Sequence, residues 1–81
     1  MSLINFVFEY DDGQLEVHEG VEGWEAPNRS VDIQGVYHVG PPDYHFWKDA
    51  MHVLGPSEHY CVFPVDEERY DQLKLEAMLY G

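Results

Sequence analysis

"LINFVFEYDDGQLEVH", Leu3 to His18, is the stretch whose reading decides the fold. Its first half alternates: Ile4, Phe6, Phe8 and Tyr10 point one way and Asn5, Val7 and Glu9 the other, as in a strand with one richer apolar face. Asp12-Gly13 follows, a favoured pair for a two-residue hairpin turn, in which both central positions need positive φ. Leu15 to His18 then returns as the second strand. This turn predicts a register in which Asp11 faces Gln14, Tyr10 faces Leu15 and Phe8 faces Val17. The same register sets Glu9 opposite Glu16, a like-charge pair that costs roughly 0.2–1 kcal/mol. A slip by one residue would relieve that clash but bring Phe8 against Glu16, so the apolar pattern is expected to prevail.

Outward from the hairpin, Glu19 to Arg29 ("EGVEGWEAPNR") dissolves into a loop punctuated by Gly and Pro. Val31 to Val39 reads as a third strand with Val31, Ile33, Tyr37 and Val39 on one face, and Gly35 marks a bulge. "GPPD" ends that strand and offers Asp43 as a helix N-cap. The helix expected over Tyr44 to Leu54 gathers Phe46, Trp47, Ala50, Met51 and Leu54 on one side, and Gly55-Pro56 stops it. His59 to Val65 reads as a fourth strand. Asp66 caps a last helix, with Glu67 and Glu68 complementing the dipole in its first turn and Tyr70, Leu73, Ala77 and Tyr80 along its buried side. The order β-β-β-α-β-α predicts an α+β fold: a small, mostly antiparallel sheet with two helices packed on it. With 81 residues, the whole chain 1–81 is expected to form a single domain, too short for two independent cores.

Composition narrows the class of protein. Hydrophobic residues at 44% and aromatics at 15% are those of a folding chain, since disorder combines high net charge with few aromatics. The charge balance is the outlier, sixteen Asp and Glu against four Lys and Arg, for a formal net charge of −12. Such an excess steers a protein toward basic surfaces and weakens its compact state by self-repulsion. It argues against direct nucleic-acid binding and against anionic membranes, both of which call for positive charge. No apolar run approaches the roughly 20 residues of a membrane span. The start "MSLINFVFEYDD" lacks the basic n-region of a signal peptide. A lone cysteine, Cys61, excludes an internal disulfide. The expectation is a cytoplasmic protein.

Candidate chemistry is sparse. His38, His45, His52 and His59 recur every seven residues, and His45, Asp49 and His52 would share one side of the first helix at i, i+4 and i+7. Zinc needs ligand atoms within about 2.0–2.2 Å of one ion, whereas His45 and His52 lie roughly 10 Å apart along the axis. Their expected place is a solvent face, with no metal. His59 and Cys61 would share a strand face about 6.6 Å apart, too far for the hydrogen bond that activates a thiol, so Cys61 is expected to be buried and inert. The carboxylates fall at surface positions rather than in the contrasting environments that acid/base catalysis requires. No GxGxxG or GxxxxGK[ST] cradles a phosphate, and "DDGQLEVHEG" lacks the ligand spacing of a calcium loop. The chain is expected to be no enzyme and to need no cofactor.

The acidic half carries the functional expectation. Glu9, Asp11 and Glu16 are expected to share the outer side of the hairpin with Asp12 at its tip, and Glu16, Glu19, Glu22 and Glu25 recur every three residues before Arg29, the first cation. Ordinary surfaces intersperse the two signs. Carboxylates at alternate strand positions lie about 6.6 Å apart, of the same order as the roughly 3.4 Å charge spacing on a nucleic-acid strand. Trp24, between Glu22 and Glu25, would be either the aromatic anchor of an interface or a side chain folded back over the sheet edge. In size, acidity and aromatic content the whole chain resembles the small phage-encoded inhibitors that include DNA mimics and anti-CRISPR proteins. That compositional resemblance implies a protein that takes over a host by binding the basic grooves of its nucleic-acid-handling machinery, in the host cytoplasm. The reading is therefore an acidic inhibitor or sequestering protein whose partner is a basic nucleic-acid-binding protein or nuclease complex. Its surface would comprise Glu9, Asp11, Asp12, Glu16, Glu19, Glu22, Trp24 and Glu25, with Glu67, Glu68 and Asp71 as the alternative patch. Two rival classes are an immunity protein or antitoxin neutralising a basic nuclease, and a neutral interaction module of a larger assembly. The exposed hairpin edge could also pair with its twin as a homodimer.

Overall fold

The computed structural model describes residues 3–27, 32–39, 44–55 and 60–80 and, of residues 44–47 and 80, the backbone only. Strands β1 (Ile4–Tyr10), β2 (Leu15–Val21), β3 (Ile33–Val39) and β4 (Cys61–Val65) form one sheet in the order β2-β1-β3-β4, and helices α1 (Tyr44–Leu54) and α2 (Glu67–Tyr80) complete an α+β fold. β1 runs antiparallel to both β2 and β3, while β3 and β4 are parallel. A parallel pair needs a long crossover, and α1 supplies it. The sheet is mixed rather than purely antiparallel, in the element order that the sequence predicts.

β1 is the spine of the molecule. Phe6, Val7, Phe8 and Tyr10 are all fully buried, so this strand is covered on both faces. On one face Phe6, Phe8 and Tyr10 meet Val36, Val62, Trp24 and Ala50 of α1, with Val53 and Leu54 packed at the margin. On the other, Val7 meets Tyr70 and Leu73 of α2. The helices therefore sandwich the sheet between them. Burying a side chain of this kind contributes about 1.5–3 kcal/mol, which places the largest share of the core on the β1 aromatics.

The hairpin register differs from the expected one by one residue. Phe8 lies opposite Glu16, Glu9 opposite Leu15 and Val7 opposite Val17. The cause is in the turn. Gly13 has φ 84°, and among the described residues no non-glycine has positive φ, so Asp12 does not adopt the left-handed conformation of a two-residue turn. Instead the Gly13 N–H donates to the Tyr10 carbonyl at 2.9 Å and the Tyr10 N–H to the Gln14 carbonyl at 3.0 Å. This is the pattern of a three-residue connection closed by a left-handed glycine. It spares Asp12 a left-handed backbone, worth roughly 1–2 kcal/mol. The Asp12 carboxylate accepts the Gln14 N–H at 3.0 Å, which ties down the loop from the other side.

Other expectations are corrected in the same way. The bulge does fall beside Gly35, since Glu9 pairs with Gly35 and Tyr10 with Ile33. That extra residue turns Ile33 toward the α1 face while Tyr37 and Val39 stay on the α2 face, so the three do not share a side. Met51 is exposed, and Val53 packs in its stead. Cys61 is exposed, not buried. It opens an edge strand, and α2 packs chiefly on β2, β1 and β3. The ends of the helices follow expectation: Gly55, at φ 78°, closes α1, and Asp66 accepts the Arg69 N–H at 2.7 Å as the cap of α2. Val31, Asp43, Pro56 and His59 lie outside the described residues, as do the side chains of Phe46, Trp47 and Tyr80.

Two outcomes test this fold. Nothing lies within 4 Å of a Cβ built at Gly13, so Gly13→Ala should cost only backbone strain, about 1–2 kcal/mol by urea unfolding. His38 is buried on the α1 face, and burial lowers its pKa from the usual 6.5. As pH falls, the unfolded chain takes up that proton first. Its contribution to stability is thus complete above about pH 6.5 and is lost below it, at up to about 1.4 kcal/mol per pH unit. His38→Leu should flatten that slope relative to the parent between pH 7 and pH 5. Parallel slopes would show that His38 titrates alike in both states.

Candidate functional site

The shifted register decides where each carboxylate goes. Because side chains alternate along a strand, Glu16 and His18 fall on the α1 face opposite Phe8 and Phe6. Glu9 falls on the α2 face. The two carboxylates expected side by side on the hairpin lie on opposite sides of the sheet.

Each then finds an internal role. The Tyr37 hydroxyl donates to Glu9 Oε1 at 3.1 Å, and burial, with the Glu9 charge second, pushes the Tyr37 pKa up. Glu16 is only 17% exposed and accepts from the Tyr10 hydroxyl at 3.1 Å and from His18 Nε2 at 2.7 Å. A carboxylate only accepts, so Nε2 carries the imidazole hydrogen. The His18 ring stacks on Phe6 at 4.9 Å and meets the edge of Phe8 at 5.1 Å. Its other nitrogen lies 3.4 Å from Glu25, which belongs to the loop after β2. Tyr10, Glu16 and His18 thus form a hydrogen-bonded chain on the α1 face, and Glu25 comes close to its end, where the contact is attractive only with a hydrogen on Nδ1 as well.

Trp24 holds the loop after β2 against the sheet. It is 9% exposed and packs 4.6 Å from Phe6, so it belongs to the core and is not the projecting anchor of an interface. The loop folds back because Trp24 is the one large apolar side chain it carries, and the aromatic face of β1 is within its reach. The remaining acids stay at the surface. Asp11 and Asp12 are exposed at the hairpin tip beside Asp32, whose carbonyl accepts the Asp11 N–H at 3.0 Å. Glu22 and Glu25 are exposed beyond the end of β2. Glu19 reaches across to α2, where Lys74 Nζ lies 3.0 Å from it and 3.5 Å from Asp71. The hydrogen bond to Glu19 raises the Lys74 pKa, and Tyr70, buried beside the same carboxylate, is pushed up to about 12.

Of the expected surface, Asp11, Asp12, Glu19, Glu22 and Glu25 remain exposed, whereas Glu9, Glu16 and Trp24 are turned to internal contacts. Two features of this region escape a sequence reading. His18 could have been found from its i, i+2 spacing to Glu16, which places both on one strand face. The second is a groove of about 460 Å³ between β2 and α2, lined by Leu15, Glu16, Val17, Glu19, Lys74, Ala77 and Met78. Asp49 and His52 are exposed on α1, and the His45 side chain is outside the described residues. Among the described residues no group of three or more His, Cys, Asp or Glu is arranged to hold a metal ion. Among them, too, no helix is long and apolar enough to cross a membrane. Comparison with protein families, curated proteins and solved structures finds no match.

Removing the shared acceptor should cost more than removing the exposed end of the chain. Glu16→Ala leaves a buried tyrosine hydroxyl and a buried imidazole short of a partner, which should lower stability by about 1–3 kcal/mol. Glu25→Ala, at an exposed and longer contact, should change it by less than about 1 kcal/mol. Chemical denaturation of both variants checks the order, and equal losses would contradict it.

Proposed function

We propose that this protein acts by binding, without catalysis, as an acidic inhibitor or sequestering factor that covers the basic, nucleic-acid-binding surface of a partner protein. The observation that carries this reading is the one-sided charge of the hairpin and the loop after it. From Glu9 to Glu25 the chain holds seven carboxylates and no Lys or Arg. Five of these seven, Asp11, Asp12, Glu19, Glu22 and Glu25, are exposed, and of these Glu19 is paired with Lys74 of α2, which leaves the tip and the loop after β2 as the one-signed surface. A surface of one sign repels itself, and a cationic partner would relieve that repulsion while gaining steered association.

The spacing of a nucleic-acid strand is no part of the proposal. A row of alternating carboxylates would need Glu9 and Glu16 on one outer face, and they occupy opposite faces. What supports the reading is a clustered negative field at the hairpin tip and at the loop after β2, where shape need not copy a duplex.

Affinity capture from the native host at low and high salt tests the proposal. A basic nucleic-acid-binding protein should be retained at about 50 mM salt and lost by about 500 mM, because exposed charges are screened within a few ångströms at high ionic strength. The variant carrying Asp11→Lys, Asp12→Lys, Glu22→Lys and Glu25→Lys should keep its circular dichroism spectrum and lose capture at either salt. Capture that resists both salt and charge reversal would sink the reading.

A further inference from the structure

The geometry points to the outer edge of β2, with the groove beside α2, as the docking site for an extended cationic segment of a partner protein, added to the sheet as a fifth strand. This rests on the reading above in taking the partner to be cationic. The sheet has two edges, and they are not alike. β4 carries Pro64, which removes a backbone donor and discourages pairing. β2, "LEVHEGV", has neither a proline nor a lysine along its seven residues, it pairs regularly over Leu15–His18 before a bulge at Gly20 (φ 64°), and among the described residues no strand lies beyond it. The open stretch before the bulge is a template for another strand.

Apolar surface collects at the same edge. Met78 is 80% exposed, and Val17 is also exposed on the adjoining face of β2. Met78 and Val17 line the groove together with Leu15 and Ala77. Strand addition of this kind takes its affinity from main-chain hydrogen bonds and its specificity from pockets that receive alternate side chains. A groove of about 460 Å³ has room for such side chains.

Charge selects the occupant. Glu19 and Lys74 line the groove, where the Lys74 ammonium is held between Glu19 and Asp71 at 3.0 and 3.5 Å, while the Glu16 carboxylate is turned to the other face of the sheet. Glu22 and Glu25 follow directly after the strand. The rim is therefore net negative. A second copy of this chain would bring the same acids against themselves, each copy carrying a net −12. A strand bearing Lys or Arg at alternate positions meets them with opposite sign and can still place apolar side chains in the groove.

The test titrates the isotopically labelled protein with a synthetic nine-residue peptide of alternating Lys and Val, and with its Glu–Val counterpart. Amide shifts should concentrate in Leu15–Val21 and Lys74–Leu79, with slowed exchange of β2 amides, and the Glu–Val peptide should bind at least tenfold more weakly. Met78→Glu and Val17→Lys, both at exposed positions, should each weaken the Lys–Val peptide at least tenfold. Shifts confined to the hairpin tip, affinity unchanged in both variants, or a free protein that sediments as a dimer with its β2 amides already protected would each overturn the proposal. The two readings separate cleanly. Capture of a basic host protein at full strength by Met78→Glu refutes the groove and leaves the inhibitor reading standing. A Lys–Val peptide seated on β2 with no basic protein captured supports the groove and refutes the inhibitor.

Discussion

The hydrogen bond from the Tyr10 N–H to the Gln14 carbonyl fixes how β1 meets β2, and most of what distinguishes this molecule depends on that pairing. A two-residue turn would have placed Leu15 and Val17 on the α1 face and both hairpin glutamates on the other. The three-residue turn inverts β2 relative to β1. Leu15 and Val17 are delivered to α2, and Glu16 and His18 enter beside the Phe6 and Phe8 rings. Polar groups placed against an aromatic core must be hydrogen-bonded there, and the Tyr10–Glu16–His18 contacts supply that. The register thus creates both the internal polar chain and the apolar lining of the β2–α2 groove.

Much of the architecture was legible in the sequence. Helix α1 and the start of α2 follow from their caps and stops, since Gly55 and Asp66 act locally. The element order follows from alternation in β1 and β3 and from turn residues between them. What was not legible was the choice between two turns that differ by one residue. Asp-Gly suits either, and the decision rests on whether Asp12 accepts a left-handed backbone and on what Glu16 gains in the slipped position. The gain comes from Tyr10 and His18, whose partnership with Glu16 exists only once the slip has occurred. A pairwise rule that counts Phe8 against Glu16 as a loss omits both hydrogen bonds.

The candidate surface was legible in part for the same reason. Composition locates the acidic half but not its geometry, because geometry depends on register. Asp11, Asp12, Glu22 and Glu25 sit at a tip or in a loop and stay exposed whatever the pairing, while Glu9 and Glu16 sit within strands and were redirected by it. Trp24 was ambiguous between an interface anchor and a core residue, and the reach of a short loop to the β1 aromatics decides for the core. Met78 went unnoticed because it lies off the side of α2, with Tyr70, Leu73 and Ala77, that the sequence assigns to the core. It acquires meaning only beside Val17 and Leu15, which the register brings to that face.

In the proposed mode of binding, charge and groove divide the work in a way that suits a small protein with little core to spare. Exposed carboxylates at the hairpin tip act at a distance and speed encounter, but their pull is screened by salt and confers little permanence. Residence comes from desolvated contacts and main-chain pairing, which only the β2 edge with its apolar flank offers. An open edge of this kind would ordinarily invite self-association. Here the acids along and just beyond β2 oppose pairing between identical copies, so under the proposal the charges that would attract a cationic strand also disfavour self-pairing at that edge. On that view the net −12 is not merely a tolerated excess: it is what allows the edge to remain uncovered until a segment of opposite charge arrives.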